Sequence, residues 1–348
     1  MTKQQSCITG WDIGGAHLKV ARCDNQGTLL DVIQISCPLW QGIEHLEAAI
    51  QTAQEELGNH DDVAAITMTG ELVDIFANRQ TGVNEILACI ANHIPADKLH
   101  VYAGDNGWLD ITAAGIHWHQ VASRNWQASA SFVANAIENG VFIDIGSTTC
   151  DIIPIKNNEV CVQGLDDHQR QFSRELLYTG AIRTPLIALT NMAPFNGQLI
   201  SLAAEVFATT GDCWRLLDKL DTASIQDISA DGNSWNKEDC ARRLARLLGT
   251  DAKTPLSPQW QQLARWFAEQ QIHQVNNACL HVLSNHSDFA EDTPIIGAGV
   301  GHFIAQSCAL RLNRPYINFS TLIRPDLADA ADHAPAVAVA LLAQQQFT

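Results

Sequence analysis

The sequence predicts an α/β protein of two lobes, each a mixed β-sheet flanked by helices. Three observations predict it. First, a strand, a glycine turn and a second strand occur twice: Asp12-Ile13-Gly14-Gly15 and Asp144-Ile145-Gly146-Ser147 each close an apolar strand, and they lie 132 residues apart. A spacing that long implies two copies of one domain plan, because a solenoid repeats every 20–50 residues or so. Second, segments with helical spacing of apolar residues alternate with short apolar runs. Third, 348 residues with 46% hydrophobic and 17% charged side chains suffice for two domains with full cores.

Taken in order, residues 7–13 form an apolar strand ending at Gly14-Gly15, 17–24 alternate as a second strand, and 28–36 form a third after the turn Asn25-Gln26-Gly27. Residues 44–57 carry helical spacing (Leu46, Ala49, Ile50, Ala53, Leu57) and stop at Gly58. A buried strand over 63–68 follows, then helices over 83–93, ended by Pro95, and over 122–139, ended by Gly140. The opening pattern then returns: strand 141–145, turn Gly146-Ser147, strand 149–155, turn Asn157-Asn158, strand 159–163. Residues 173–251 read as mostly helical with a polar surface loop over 221–239, and 257–283 as one long helix. A strand over 294–296 runs into Gly297-Ala298-Gly299-Val300-Gly301 and a helix to residue 312. An alanine-rich helix over 334–343 closes the chain and is expected to pack back on the first lobe. The lobes are therefore drawn as 1–139 plus 331–348, and 140–330.

A formal net charge of −17 argues against a nucleic-acid partner, which calls for a basic stripe. Arg242, Arg243 and Arg246 read as a solvated helix face. The ten cysteines show no paired C-x-x-C spacing, so zinc is not indicated, and Cys7, Cys150, Cys161 and Cys308 sit in apolar runs as small hydrophobes. Residues 1–6 are polar and carry no apolar signal segment, and no apolar stretch approaches a membrane span of about 18 residues. A reducing cytoplasm is the expected compartment. His117 and His119 would share one face of a strand, but no third metal ligand is placed near them. Trp260, Trp266 and Phe267 fall at helical spacing and read as core.

The chemistry is carried by the duplicated turns. A tight hairpin with glycine at its tip exposes consecutive backbone N–H groups, a concavity that suits phosphate oxygens. A carboxylate just before such a turn repels phosphate unless it holds Mg2+ that the phosphate shares. Asp12 and Asp144 are thus the candidate metal ligands. Gly14, Gly15, His17, Lys19, Gly146, Ser147 and Thr148 are the candidate phosphate ligands. Either turn alone is equally an ordinary hairpin; the duplication favours the functional reading. Gly297, Gly299 and Gly301 follow a strand and open a helix, so their N–H groups can meet a ligand. They do not form a dinucleotide fingerprint, since His302 stands where the third glycine of that motif belongs.

The order of two phosphate turns and a glycine-rich strand-to-helix turn resembles the actin-like ATPase superfamily, which includes sugar kinases and heat-shock chaperones. Met68-Thr69-Gly70-Glu71-Leu72 with Asp74 and Arg79, the pair Asn125-Trp126, and Tyr178-Thr179-Gly180-Ala181-Ile182-Arg183-Thr184-Pro185 resemble its hydantoinase A/oxoprolinase-like branch. Within that branch they are similar to proteins of tetrahydromethanopterin-linked one-carbon transfer, whose archaeal relatives join furan and phenol pieces in methanofuran biosynthesis. The resemblance covers nearly the whole chain. One departure is Ala16-His17, where many members carry a small hydroxyl or amide residue; it bears on ATP use more than on phosphate binding.

The resemblance implies two actin-like, ribonuclease H-like lobes with a ligand cleft between them. It implies a transferase that attacks the CH2 carbon of an aminomethylfuran-methyl diphosphate with a phenolic tyramine- or tyrosine-like oxygen and releases diphosphate. Mg2+ is the implied cofactor, with no tightly bound organic one. The partners are these small molecules, with neither nucleic acid nor membrane, and a homodimer is one assembly the reading allows. A phenol, with an ordinary pKa of about 10, needs a base. Glu71 is the first choice among Glu71, Asp74 and His17, and Asp74, Arg79, Asn125 and Arg183 are further ligand contacts. Glu71 and Asp74 read equally as caps of the following segment. The rivals are an ATP-dependent kinase or amide-ring hydrolase and a non-catalytic nucleotide-binding protein.

Overall fold

A computed structural model describes residues 7–58, 62–223, 225–226, 228–323 and 328–348, the side chains of 328 and 329 excepted. The polar segment 1–6, read above as lacking a signal, lies outside the described residues. The chain divides into two compact units: Met1–Glu138, Ile155–Val160 and Phe319–Thr348 form the first, Asn139–Pro154 and Cys161–Asn318 the second.

The first unit is built on a six-stranded sheet. Its strands are β1 (Ile8–Ile13), β2 (His17–Cys23), β3 (Leu29–Ser36), β4 (Val63–Met68), β5 (Leu99–Tyr102) and β6 (Trp108–Leu109), in the order β3-β2-β1-β4-β5-β6. β1 pairs antiparallel with β2 and parallel with β4. Every residue of β1 is buried because both sheet faces are covered, as is usual for a central strand with a parallel neighbour. On one face α1 (Glu44–Leu57) and α2 (Arg79–Ala91) pack Leu46, Ile50, Val83 and Ile86 against Trp11, Leu18 and Ile66. On the other lies the closing helix, Ala334–Phe347. Gly10 admits it: a Cβ there would stand 2.2 Å from the Ala336 carbonyl oxygen and 2.6 Å from the Ala340 nitrogen. Three further helices, α3 (Ile111–Ile116), α4 (Trp118–Val121) and α5 (Asn125–Ala136), complete the unit. His117 caps α3 instead of lying on a strand, so the shared face expected for His117 and His119 does not form.

The second unit repeats the opening move. β7 (Gly140–Ile145) pairs antiparallel with β8 (Cys150–Lys156) and parallel with a strand far downstream. β1 and β7 are both six residues long, both wholly buried, and both carry aspartate at the fifth position. The loops correspond too: Gly14 N–H donates to the His17 carbonyl at 3.0 Å, and Gly146 N–H to the Thr149 carbonyl at 3.0 Å. β9 (Glu159–Val160) is shorter than the 159–163 expected, and it follows the turn Asn157-Asn158, where both residues adopt left-handed φ.

The segment 173–251, expected to be mostly helical, is not. After α6 (Asp167–Phe172) and the short strand β10 (Leu176–Leu177) it forms a two-stranded hairpin, β11 (Met192–Phe195) with β12 (Gln198–Ser201). Asn196 and Gly197 turn that hairpin with φ of 52° and 77°, the paired left-handed conformation that Asn-Gly supplies. Among the described residues there, only α7 (Thr210–Leu216) and α8 (Lys237–Leu247) are helical, apart from short 3-10 turns. α9 (Pro258–Ser284) is the long helix anticipated, with Trp260 and Phe267 in the core. β13 (Ile295–Ala298), α10 (His302–Arg311) and β14 (Tyr316–Asn318) then complete a sheet ordered β10-β8-β7-β13-β14, with β9 paired to β8. The arginine run is also corrected. Arg246 is exposed, but Arg243 is 2% exposed and its guanidinium meets Asp212 at 2.6 Å and Asp231 at 2.9 Å. None of the ten cysteines is in a disulfide, and nine of them are buried.

Candidate functional site

In the first unit the site grows from the end of β1. Asp12 is 5% exposed and directly opposite Lys19 across the hairpin. Burial pushes its carboxyl above the ordinary range; Lys19, a hydrogen bond from the Asn125 side chain and His17 pull it partly back. Its Oδ1 is buried and accepts no hydrogen bond. A buried carboxylate oxygen is normally paired, so this atom suits a cation, and the donor set fits Mg2+ held by one or two carboxylates with water and phosphate. Among the described residues no group of three His, Cys, Asp or Glu side chains could hold a metal by itself.

The turn Gly14-Gly15 is held from both sides. Leu39 N–H donates to the Gly15 carbonyl at 3.1 Å, and Thr69 N–H to the Ile13 carbonyl at 2.9 Å. Gly70 fits under the turn because a Cβ there would sit 3.2 Å from the Ile13 and Gly14 oxygens. This places Glu71 beside the turn, 1% exposed. Ser123 Oγ donates to Glu71 Oε1 at 2.7 Å, and Arg79, the first residue of α2, donates to Ser123 Oγ at 3.2 Å while lying 3.5 Å from Glu71 Oε1. Asp74, three residues on, is exposed. Lys19 Nζ reaches the Asp332 carbonyl at 3.3 Å. His333, beside it, is pushed down to about 3 by burial, then by Lys19 and His17, and its Nδ1 has no partner.

Ser123 and His333 carry no motif and were not singled out from the sequence. The signal for Ser123 is three-dimensional. It adopts φ 53°, rare for a residue with a side chain, in the turn before α5. Ser123 and Asn125 thereby bring a hydroxyl to Glu71 and an amide to Asp12 from one short segment.

In the second unit three segments converge. Asp144, 7% exposed, precedes the turn Gly146-Ser147-Thr148. The Tyr178–Pro185 stretch packs directly beneath that turn: Ala181 N–H donates to the Gly146 carbonyl at 2.9 Å, and Ile182 and Arg183 N–H groups to the Ser147 carbonyl at 3.2 and 2.9 Å. A Cβ on Gly180 would lie 2.3 Å from the Ser147 carbonyl carbon. Arg183 itself is exposed. The third segment is the glycine-rich turn. Gly301 N–H donates to the Ile145 carbonyl at 2.9 Å, and Gly299, with φ 77°, lies so close that a Cβ would stand 2.5 Å from Asp144 Oδ1. Close approach and left-handed backbone both require glycine there.

A buried polar network holds the middle segment. Gln271 of α9, fully buried, donates to the Gly180 carbonyl at 2.7 Å and to Thr179 Oγ1 at 3.1 Å, and accepts from Trp214 Nε1 at 2.8 Å. Thr210 Oγ1 adds a second donor to the Gly180 carbonyl at 2.9 Å. Gln271 is one of six glutamines in α9, and nothing local marks it as the buried one, so these supports also escape a reading of the sequence.

Thus Asp12, Gly14, Gly15, His17, Lys19, Glu71, Arg79 and Asn125 gather around the first turn. Asp144, Gly146, Ser147, Thr148, Arg183, Gly297, Gly299 and Gly301 gather around the second.

Comparison with known proteins bears on what such turns serve. The family model described as Hydantoinase/oxoprolinase matches residues 62–346. The chain is 32% identical over 245 residues to the (4-{4-[2-(gamma-L-glutamylamino)ethyl]phenoxymethyl}furan-2-yl)methanamine synthase of Methanocaldococcus jannaschii, covering 70% of this chain and 72% of that protein. A protein of the same name from Methanococcus vannielii is 36% identical over 123 residues, covering 35% of this chain and 55% of that one. Among solved structures, nucleotide-free acetone carboxylase shares the fold, with a TM-score of 0.60 at 9% identity over 97% of this chain and 70% of that chain.

Proposed function

Since this chain belongs to the hydantoinase/oxoprolinase family, we propose that it is a transferase that joins an aminomethylfuran-methyl diphosphate to a phenolic tyramine- or tyrosine-derived acceptor, releasing diphosphate in the making of a methanofuran-type one-carbon carrier. One observation carries the reading: the chain is 32% identical over 70% of its length to a synthase whose name describes an aryl ether, a phenoxymethyl group on a furan.

The chemistry suits the residues. The furan stabilises positive charge on its CH2 carbon as the carbon–oxygen bond to diphosphate breaks. The barrier then depends on charge accumulating on the leaving group. N–H groups of Ser147 and Thr148, held in the turn that the Gly146 N–H bond to the Thr149 carbonyl closes, stabilise that charge without reorganising. Arg183, presented from the segment packed under the turn, adds a guanidinium. In the first unit Gly14 closes the corresponding turn with its N–H on the His17 carbonyl, and Gly15, His17 and Lys19 supply the donors and the positive charge. Mg2+ would supply further neutralisation of the diphosphate, with Asp12 the carboxylate proposed to hold it in the first unit and Asp144 the one proposed in the second. The free Oδ1 of Asp12 supports that role. The phenolic oxygen forms the new carbon–oxygen bond and gives up its proton. Glu71, Asp74 and His17 are the sequence's candidates for receiving it, and Glu71 is already held by Ser123 and Arg79.

No helix among the described residues is long and apolar enough to cross a membrane. Calorimetry tests the ligand class. Mg2+-diphosphate should bind and compete with the furan diphosphate, because it resembles the departing group. Mg2+-ATP should bind more weakly, its adenosine having to fit a pocket for a furan and a phenol. Tight ATP binding with no diphosphate binding would promote a kinase or hydrolase instead.

A further inference from the structure

We propose that His302 is the base that takes the phenolic proton, with Tyr316 holding it in the tautomer that can do so; the inference rests on the transferase reading above. It starts from the packing of the second unit. The second phosphate turn and the glycine-rich turn are locked together by the bond from Gly301 N–H to the Ile145 carbonyl and by Gly299 against Asp144. A diphosphate seated on Ser147 and Thr148 would therefore lie beside Gly299 and Gly301. His302 is the first residue of α10, directly after that turn, and its N–H donates to the Gly299 carbonyl at 2.9 Å.

The imidazole is not an ordinary surface histidine. Tyr316, on β14 beside the turn, donates its hydroxyl to the His302 carbonyl at 3.3 Å, and the same oxygen lies 3.3 Å from His302 Nδ1. A hydroxyl whose proton is committed to a carbonyl can only accept from the ring, so Nδ1 carries the hydrogen and Nε2 keeps its lone pair. Gly297 makes this possible: a Cβ there would stand 2.6 Å from the Tyr316 hydroxyl oxygen. The glycine that opens the turn thus also admits the group that sets the tautomer. Burial lowers the imidazole below its ordinary value and raises the Tyr316 hydroxyl to about 12, so ring and phenol are both neutral near pH 7.

The step balances without any further reagent. The bond between the furan CH2 carbon and diphosphate oxygen breaks, and its electron pair leaves with diphosphate. The phenolic oxygen forms the ether bond, and its proton passes to Nε2 of His302. Glu71 differs from His302 in this respect, because its Oε1 already accepts from Ser123 and faces Arg79.

The test compares wild type, H302Q and Y316F across acceptor phenols of graded acidity, with ether formation followed by mass spectrometry. H302Q should lower kcat about 10²- to 10³-fold for a phenol of ordinary acidity, as loss of a general base does. The deficit should shrink as fluorine substitution makes the phenol more acidic, since an acceptor that sheds its proton readily needs less help. Y316F, which keeps the ring and loses the hydroxyl, should show a smaller loss of the same pattern. Retained Mg2+-diphosphate binding by H302Q shows that the turns are formed. H302Q with wild-type kcat, or a deficit independent of phenol acidity, overturns the assignment while leaving the transferase reading intact. Wild-type protein that forms no ether with any phenol overturns both.

Discussion

Ser123 Oγ donates a 2.7 Å hydrogen bond to Glu71 Oε1, tying the turn before α5 to the carboxylate beside the first glycine turn. Glu71 is 1% exposed, and both this hydroxyl and Arg79 meet its Oε1. Ser123→Ala removes a donor to a buried anion and should cost about 1–3 kcal/mol of stability. A urea unfolding curve measures it. A midpoint unchanged from wild type would mean that water or Arg79 fully replaces the hydroxyl.

Asp12→Asn should act in opposite directions on stability and on function. Burial raises the Asp12 carboxyl above the ordinary value of 3.8. The folded state therefore favours its protonated form, and stability is lost as pH rises from the ordinary value of 3.8 through the raised one. Asparagine removes the cost. The metal-free variant should be more stable than wild type at pH 7, with the gain shrinking as pH falls and gone below about 3.8. Ether formation should fall sharply at the same time. Thermal unfolding in chelator at pH 7 and pH 3 checks the sign, and a variant less stable at pH 7 would contradict it.

Asp144→Ala removes the carboxylate before the second turn. The fold should be retained, since the bonds that hold this turn run between backbone groups, while turnover drops about 10²- to 10³-fold or more, the scale of a metal's electrostatic contribution. Chelator should reproduce the loss in wild type. Activity that survives both treatments would remove the metal from the mechanism.

Arg243→Ala leaves Asp212, whose side chain is wholly buried, facing no cation. Breaking a buried pair from one side costs about 3–5 kcal/mol. The variant should unfold at markedly lower denaturant, its defect centred on α7 and α8, where hydrogen exchange should report the loosening. Wild-type protection there would assign the pair no structural role.

This arginine also marks where the sequence stops being legible. A run of three arginines on a helix reads as a wet face, and for Arg246 it is one. Nothing local tells that Arg243 points inward, because its partners come from elsewhere in the chain, Asp212 from α7 and Asp231 from the loop before α8. The same holds for Ser123 and Gln271, whose roles come from long-range contacts. By contrast the β1–β2 and β7–β8 hairpins, the glycine-rich turn and the helix Glu44–Leu57 were legible, since local spacing and glycine chemistry decide them. The hairpin Met192–Ser201 fell between: its Asn196-Gly197 signal was present, but the flanking apolar residues suggested a helix.

The most direct test is turnover. Purified protein with Mg2+, an aminomethylfuran-methyl diphosphate and a tyramine-type phenol, without ATP, should yield the aryl ether and free diphosphate in equal amounts, the ether followed by mass spectrometry and the diphosphate by an enzyme-coupled assay. Ether and diphosphate appearing together at a rate that depends on Asp144 is the predicted result. No ether under these conditions, with ATP instead converted to ADP in the presence of an acceptor, would contradict it.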